Sequence, residues 1–159
     1  MNPEKNDDVI DLLSGLRHAE KEKRAECVRN LVHTGDRAVP GLLALLGDPE
    51  WTVRYRAAEA LGLIGSVVAV PALITGCADP KDHVRYMAAK GLGLIRDPAA
   101  VSPLVMLLAD EHPYTRAVAA EGLAGIGGRE SREAILSALR HEHDPCVRER
   151  MEQSLEKKG

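Results

Sequence analysis

The sequence predicts an all-α protein, a right-handed α-solenoid of about five two-helix repeats, and three features carry that prediction. Residues 40–54 read PGLLALLGDPEWTVR, and 31 positions later residues 71–85 read PALITGCADPKDHVR. Apolar residues recur in phase with that spacing: Leu42, Leu73, Leu104 and Ile135 share one repeat position, Leu46, Cys77, Leu108 and Leu139 another, and Leu61, Leu92 and Leu123 a third. Within a unit Val53, Ala57, Leu61 and Ile64 step by four, four and three, as along one face of a helix. A unit this short cannot bury its apolar face alone, so it stacks on its neighbours in a row.

Each unit reads as two helices. The chain opens on MNPEKNDD, a polar segment expected to be flexible over 1–8, followed by a single repeat domain over 9–157 with unit boundaries near 39, 70, 102 and 133. In the first unit Ile10, Leu12, Leu13 and Leu16 align with Pro40, Leu42, Leu43 and Leu46. Lys21, Glu22 and Lys23 replace its Asp-Pro turn, which suits a terminal cap. Short first helices are expected over 40–47, 71–78, 103–109 and 133–140, with Pro40, Pro71 and Pro103 in the first turn, where a missing N–H costs nothing. Their apolar density predicts burial nearly all round, with only the column Ala44, Thr75, Met106 and Ser137 facing solvent.

Second helices are expected to start at Asp48-Pro49, Asp79-Pro80 and Asp144-Pro145, an Asp N-cap followed by proline, with His112-Pro113 in that place in the fourth unit. Their buried stripe is Val53, Ala57, Leu61 and Ile64, repeated as Val84, Ala88, Leu92 and Ile95 and as Thr115, Ala119, Leu123 and Ile126. Gly62, Gly93 and Ala124 fall in register, so neighbouring helices can approach closely, and Gly65 and Gly127 end two of them. The connectors 66–70, 97–102 and 128–132 are short. At the end, Val147, Met151 and Leu155 form one apolar stripe under a polar coat that includes Arg148, Glu152 and Lys157, a second cap.

Composition narrows the function. Aromatic residues make up 3% of 159 and none is Phe, so thin layers of Leu, Ile, Val and Ala form the core. A net charge of -3 argues against sequence-independent nucleic-acid binding, which needs excess Lys and Arg to displace counterions. Cys27, Cys77 and Cys146 are odd in number and make no CxxC pair, so no disulfide framework is expected and a reducing cytoplasm fits best. Residues 60–78 run 19 positions without a charge, but Gly62, Gly65, Ser66, Pro71 and Gly76 split them between two helices, so no membrane span is expected. The opening MNPEKNDD is polar with no apolar run, so no secretory signal is expected.

The set Pro40, Asp48, Val53 and Arg54, repeated as Pro71, Asp79, Val84 and Arg85 and more loosely as Pro103, Asp110, Thr115 and Arg116, resembles the HEAT repeat. The short period and the phrase RAAEALGLIG at 56–65 are most similar to the subtype named after phycobilisome lyases, over about residues 9–157. The resemblance implies an armadillo/HEAT-like superhelix whose second helices line the concave side. It also implies that Arg24, Arg54, Arg85, Arg116 and Arg148, with Asp48, Asp79 and Asp110, form a structural charge ladder between units rather than an anion site. The subtype spans adaptors, bilin lyase subunits and deoxyhypusine hydroxylase, so fold alone does not name the activity. In the hydroxylase, His-Glu pairs follow the arginine of several second helices. Here Tyr55-Arg56, Tyr86-Met87 and Ala117-Val118 stand there, and His141-Glu142 falls in a turn outside that register.

Helical geometry, at about 100° per residue, locates the surface of interest. Opposite the Val53 stripe stand Trp51, Tyr55 and Glu59, and one unit on Asp82, Tyr86 and Lys90, flanked by His83 and Tyr114 and by Arg56 and Met87. Trp51, Tyr55, Tyr86 and Tyr114 are all the aromatic residues of the chain, each in the first two turns of a second helix. Trp51, Tyr55, Arg56, Glu59, His83, Tyr86, Met87, Lys90 and Tyr114 are therefore the candidate protein-binding residues, because aromatic and Arg side chains dominate interface hot spots. The competing reading is that the rings only cover turns; on the binding reading, removing Tyr55 and Tyr86 leaves folding intact.

The expected function is a non-catalytic scaffold that binds a protein partner on the concave face, with no cofactor, nucleic acid, membrane or small-molecule substrate. The alternative is a subunit of a bilin lyase-type chromophore-handling complex, with Trp51, Tyr55 and Tyr86 flanking a tetrapyrrole. His112, His141, His143 and Cys146 offer donors that zinc accepts, but their spacing matches no zinc signature, so no metal is expected.

Overall fold

Ten α-helices pair into five hairpins in the computed structural model, which describes the backbone of residues 4–156 and side chains from residue 8. They are α1 (Glu4–Gly15) with α2 (Lys21–Thr34), α3 (Val39–Leu45) with α4 (Trp51–Ile64), α5 (Val70–Gly76) with α6 (Asp82–Ile95), α7 (Val101–Leu107) with α8 (Pro113–Ile126), and α9 (Arg129–Leu139) with α10 (Pro145–Glu156). No strand occurs among the described residues. The second helices α2, α4, α6, α8 and α10 pack one against the next, and each also carries its own first helix. The result is an α-solenoid of two layers. No helix among the described residues is long and apolar enough to cross a membrane.

The repeat positions fill the interior as the comb predicts. Leu42, Leu73, Leu104, Ile135, Leu61, Leu92 and Leu123 are all 0% exposed, and each such side chain contributes about 1.5–3 kcal/mol on burial. The column Ala44, Thr75, Met106 and Ser137 is exposed, as expected of an outer ridge. The first helices are not buried all round, however: Leu43, Ile74 and Val105 are half-buried and Leu136 is exposed. A single outer row presses on the inner layer with one face only, which leaves its other side wet.

Three boundaries differ from the sequence expectation. Helix α1 starts at Glu4, so the first helix reaches into the segment 1–8, and Lys157 lies outside the described residues. Helix α9 starts at Arg129 instead of 133, because Gly127 and Gly128, at φ 81° and 87°, reverse the chain in two residues without a proline. The Asp-Pro pairs do not cap α4 or α6. Asp48 Oδ1 accepts the N–H of Glu50 at 2.9 Å and Asp79 Oδ1 that of Lys81 at 2.8 Å, closing Asx turns before the helices begin at Trp51 and Asp82. Of the three pairs expected to cap second helices, Asp144-Pro145 does so, Asp144 Oδ1 accepting from the N–H groups of Cys146 and Val147 at 2.9 and 3.1 Å.

Arginine also holds the Asp48 and Asp79 carboxylates. Arg54 donates through Nε and Nη2 to Asp79 at 2.7 and 2.9 Å, Arg85 likewise to Asp110 at 2.7 and 3.1 Å, and Arg116 to Glu142 at 2.6 and 2.9 Å. The remaining Nη1 of each donates to carbonyls of its own turn, as Arg54 does to Asp48 at 2.8 Å and Pro49 at 3.1 Å. Each arginine thus staples its own turn to the next unit. At the first joint Arg17, not Arg24, pairs with Asp48, while Arg24 binds the carbonyls of His18 and Ala19. Glu142, read in sequence only as half of an off-register His-Glu pair, is the last acid of the ladder.

The ladder makes stability acid-sensitive. Burial works to raise the Asp79 carboxyl but is outweighed by hydrogen bonds from Arg54 and the Lys81 N–H, so it lies below its ordinary value; Glu142 is lowered chiefly by Arg116, against burial. Because both folded values are depressed, this contribution is full above about pH 5 and drains as pH falls below about 4. Melting temperature followed by circular dichroism should fall as pH drops below about 4, and the fall should shrink in Asp79→Asn; an equal fall in that variant would contradict the assignment.

Glycine sets the inner spacing. A Cβ built on Gly62 would stand 2.5 Å from the Cα of Gly91, and one on Gly93 2.7 Å from the Cα of Gly122. Backbone on the facing helix cannot swing aside, so Gly62→Val should force α4 and α6 apart at a cost of about 1–3 kcal/mol. An unchanged urea midpoint would refute that contact.

Candidate partner-docking site

The first turns of α4, α6 and α8 lie side by side because their helices are in register and nearly touch at the glycines. Trp51 and Asp82 each occupy the first position of a helix, and His112 stands at the N-cap position of α8, one residue before Pro113. Their rings form a continuous row. Trp51 and His83 have centroids 5.2 Å apart, His83 and His112 6.4 Å, and His112 and Tyr114 5.6 Å, all tilted. Beside the row runs a groove of about 260 Å³ lined by Tyr55, Asp82, His83, Tyr86, His112 and Tyr114.

The geometry gathers Tyr55, His83, Tyr86 and Tyr114 from the sequence candidates, with Trp51 joined through its contact to His83. Trp51 and Tyr114 are 37% and 62% exposed, whereas Tyr55 and Tyr86 are half-buried and pack on the core. Burial pushes the Tyr55 hydroxyl up from its ordinary value. Arg56 pairs with Glu59 at 2.6 Å, one turn further along α4 and outside the groove lining, as is exposed Lys90 on α6. Met87 is corrected: at 4% exposure it belongs to the core, because its column turns toward a neighbouring helix rather than toward solvent. The half-burial of Tyr55 and Tyr86 also corrects the expectation that both can be removed without loss of stability.

Asp82 and His112 are groove residues that sequence reasoning did not select. Asp82 Oδ1 lies 2.9 Å from His83 Nδ1 and 3.3 Å from Lys81 Nζ, and its Oδ2 lies 3.3 Å from His112 Nε2. The His83 hydrogen bond above all holds the Asp82 carboxyl well below the usual range, so it is ionised. The signal was present: Asp82 is the 31-residue counterpart of Trp51, and His112 directly precedes the column of Pro113. His112 thus turns toward Asp82, while His141 Nδ1 meets the Ser137 carbonyl at 3.2 Å. Among the described residues no group of three or more His, Cys, Asp or Glu side chains is placed to hold a metal ion. Cys27, Cys77 and Cys146 are free thiols, and burial pushes that of Cys77 up to about 12.

Known structures share this architecture. The complex of CpcE and CpcF of phycocyanin lyase from Nostoc sp. PCC7120 contains a chain 23% identical to this one, with a TM-score of 0.85 over 92% of this chain and 96% of that one. A designed armadillo repeat protein in complex with the peptide (KR)4 is 21% identical, with a TM-score of 0.67 over 96% and 85%. An engineered protein is 25% identical, with a TM-score of 0.62 over 97% and 78%. No curated protein sequence matches the chain. The profile of HEAT repeats matches residues 9–86 and again 70–156, nearly the whole length. The phase of the comb, the stacked hairpins and this double match agree, and the chain belongs to the HEAT-repeat family.

Proposed function

We propose that this protein is a non-catalytic scaffold, working in the cytoplasm, that binds a protein partner along the face of its second helices. The observation that carries the reading is the gathering of Tyr55, His83, Tyr86, His112 and Tyr114 on one groove, with Trp51 at the end of the ring row. Rings held by stacked helices lose few rotamers on docking, so more of the contact energy survives as affinity. The test is capture from native lysate on immobilised protein, comparing wild type with His83→Ala/Tyr114→Ala. Both side chains are exposed, so their loss should spare the fold. Proteins retained by wild type and by the outer-ridge control Met106→Ala should be lost from the double variant; identical recoveries would contradict the reading.

The likeness to a chain of the phycocyanin lyase complex favours a second reading, a subunit of a bilin lyase-type chromophore-handling complex. It predicts a shift of the bilin absorption band on titration that disappears in Trp51→Ala. No shift, together with no transfer of bilin to an acceptor protein, would remove this second reading.

A further inference from the structure

We infer that the ring-lined groove is a cation site, which takes a lysine or arginine side chain of the partner between Tyr86, Tyr114 and the carboxylate of Asp82. This rests on the docking reading above and gives the partner a chemistry. Asp82 is the single carboxylate among the residues that line the groove, and no lysine or arginine lines it. It differs from the ladder acids. The side chains of Asp79 and Asp110 are 9% and 6% exposed and locked in arginine forks, whereas that of Asp82 is 23% exposed and meets two imidazoles and the ammonium of Lys81. Lys81 pairs with Oδ1 from outside the groove lining, and the imidazoles of His83 and His112 hold the carboxylate in place against the groove.

The row already accepts cations from its own chain. Lys81 Nζ stands 5.1 Å from the ring centroid of Trp51, and the Arg56 guanidinium 5.3 Å from that of Tyr55. Among the described residues no such cation lies over Tyr86 or Tyr114, the rings that share the groove with Asp82. Ring faces carry negative quadrupole density, so a cation there meets attraction from the rings and from Asp82 together. An anionic side chain would meet repulsion from the same groups. A space of about 260 Å³ suits one long side chain and not a folded domain, so the cation is presented on an extended segment.

Calorimetric titration with acetylated octalysine amide, in about 150 mM salt to screen diffuse attraction, tests the assignment. Octalysine should bind and octaglutamate should not. Asp82→Asn and Tyr114→Ala should each weaken octalysine about tenfold, whereas Glu130→Gln, an exposed acid on α9, should change it less than about twofold. Tyr114 is 62% exposed, so its variant keeps the test sound if Asp82→Asn fails to fold. Absence of octalysine binding, equal binding of octaglutamate, or an equal loss in Glu130→Gln would overturn the cation assignment. Partner capture that is lost in His83→Ala/Tyr114→Ala but kept in Asp82→Asn would leave the docking reading standing without it.

Discussion

Arg85→Ala is expected to destabilise the fold by about 3–5 kcal/mol, the range for removing one partner of a buried ion pair. The Arg85 side chain is 11% exposed and joins Asp110, 6% exposed, across two units. It also donates through Nη1 to the carbonyls of Asp79 and Pro80 at 3.1 and 3.4 Å, and through Nη2 to Glu111 Oε1 at 3.1 Å. Alanine leaves the buried acceptors without this donor, and the buried Asp110 charge costs most, while exposed Glu111 turns to water. Lysine is a poor substitute, since one ammonium cannot form the two-pronged contact to a carboxylate. In a chain of this length the melting temperature should fall on the order of 10 °C. The joint is central, so unfolding should also broaden as the two ends lose coupling. Arg85→Met with Asp110→Leu should recover much of the loss, because an apolar pair of similar size leaves no orphan charge. A single variant as stable as wild type would show the ladder to be ornamental.

Leu92→Ala is expected to cost about 2–5 kcal/mol. Leu92 is 0% exposed at the third-turn position of α6, the middle helix of the inner layer. Helices on both sides are held by glycine contacts and arginine staples, so the cavity cannot close by collapse and the upper part of the range applies. Leu94, two residues on and 49% exposed, supplies the control: its replacement by alanine should stay within about 0.5 kcal/mol. Urea titration of both variants reads the difference. Equal midpoints would mean that the buried stripe has been assigned to the wrong face.

The architecture was legible because repetition averages out local ambiguity. A single run such as residues 60–78 could pass for several structures, but Leu61, Leu92 and Leu123 at one phase admit only stacked hairpins. The middle ladder arginines Arg54, Arg85 and Arg116 were legible for the same reason, whereas Arg17 takes the place expected of Arg24. Less legible was anything that depends on a side chain's second partner. Asp48 and Asp79 looked like helix caps until Arg17 and Arg54 claimed their carboxylates, and Met87 shared a direction with Arg56 although its column is sealed by a neighbouring helix. The helical projection put Asp82 on the right face, but its contact with His112, which brings His112 into the groove, lies between units and is not contained in any single helix. The glycines were half legible: Gly62 and Gly93 repeat in phase, but that Gly91 and Gly122 receive them required the stacked helices.

Trp51 offers the most direct test, since it is the sole tryptophan of the chain, 37% exposed, at one end of the ring row. Acrylamide quenching of its fluorescence, measured with and without the captured partner, reports whether that end of the row is covered. Docking along the second-helix face predicts strong protection of Trp51 on complex formation. Quenching that is unchanged by a saturating partner would place the contact elsewhere and contradict the account.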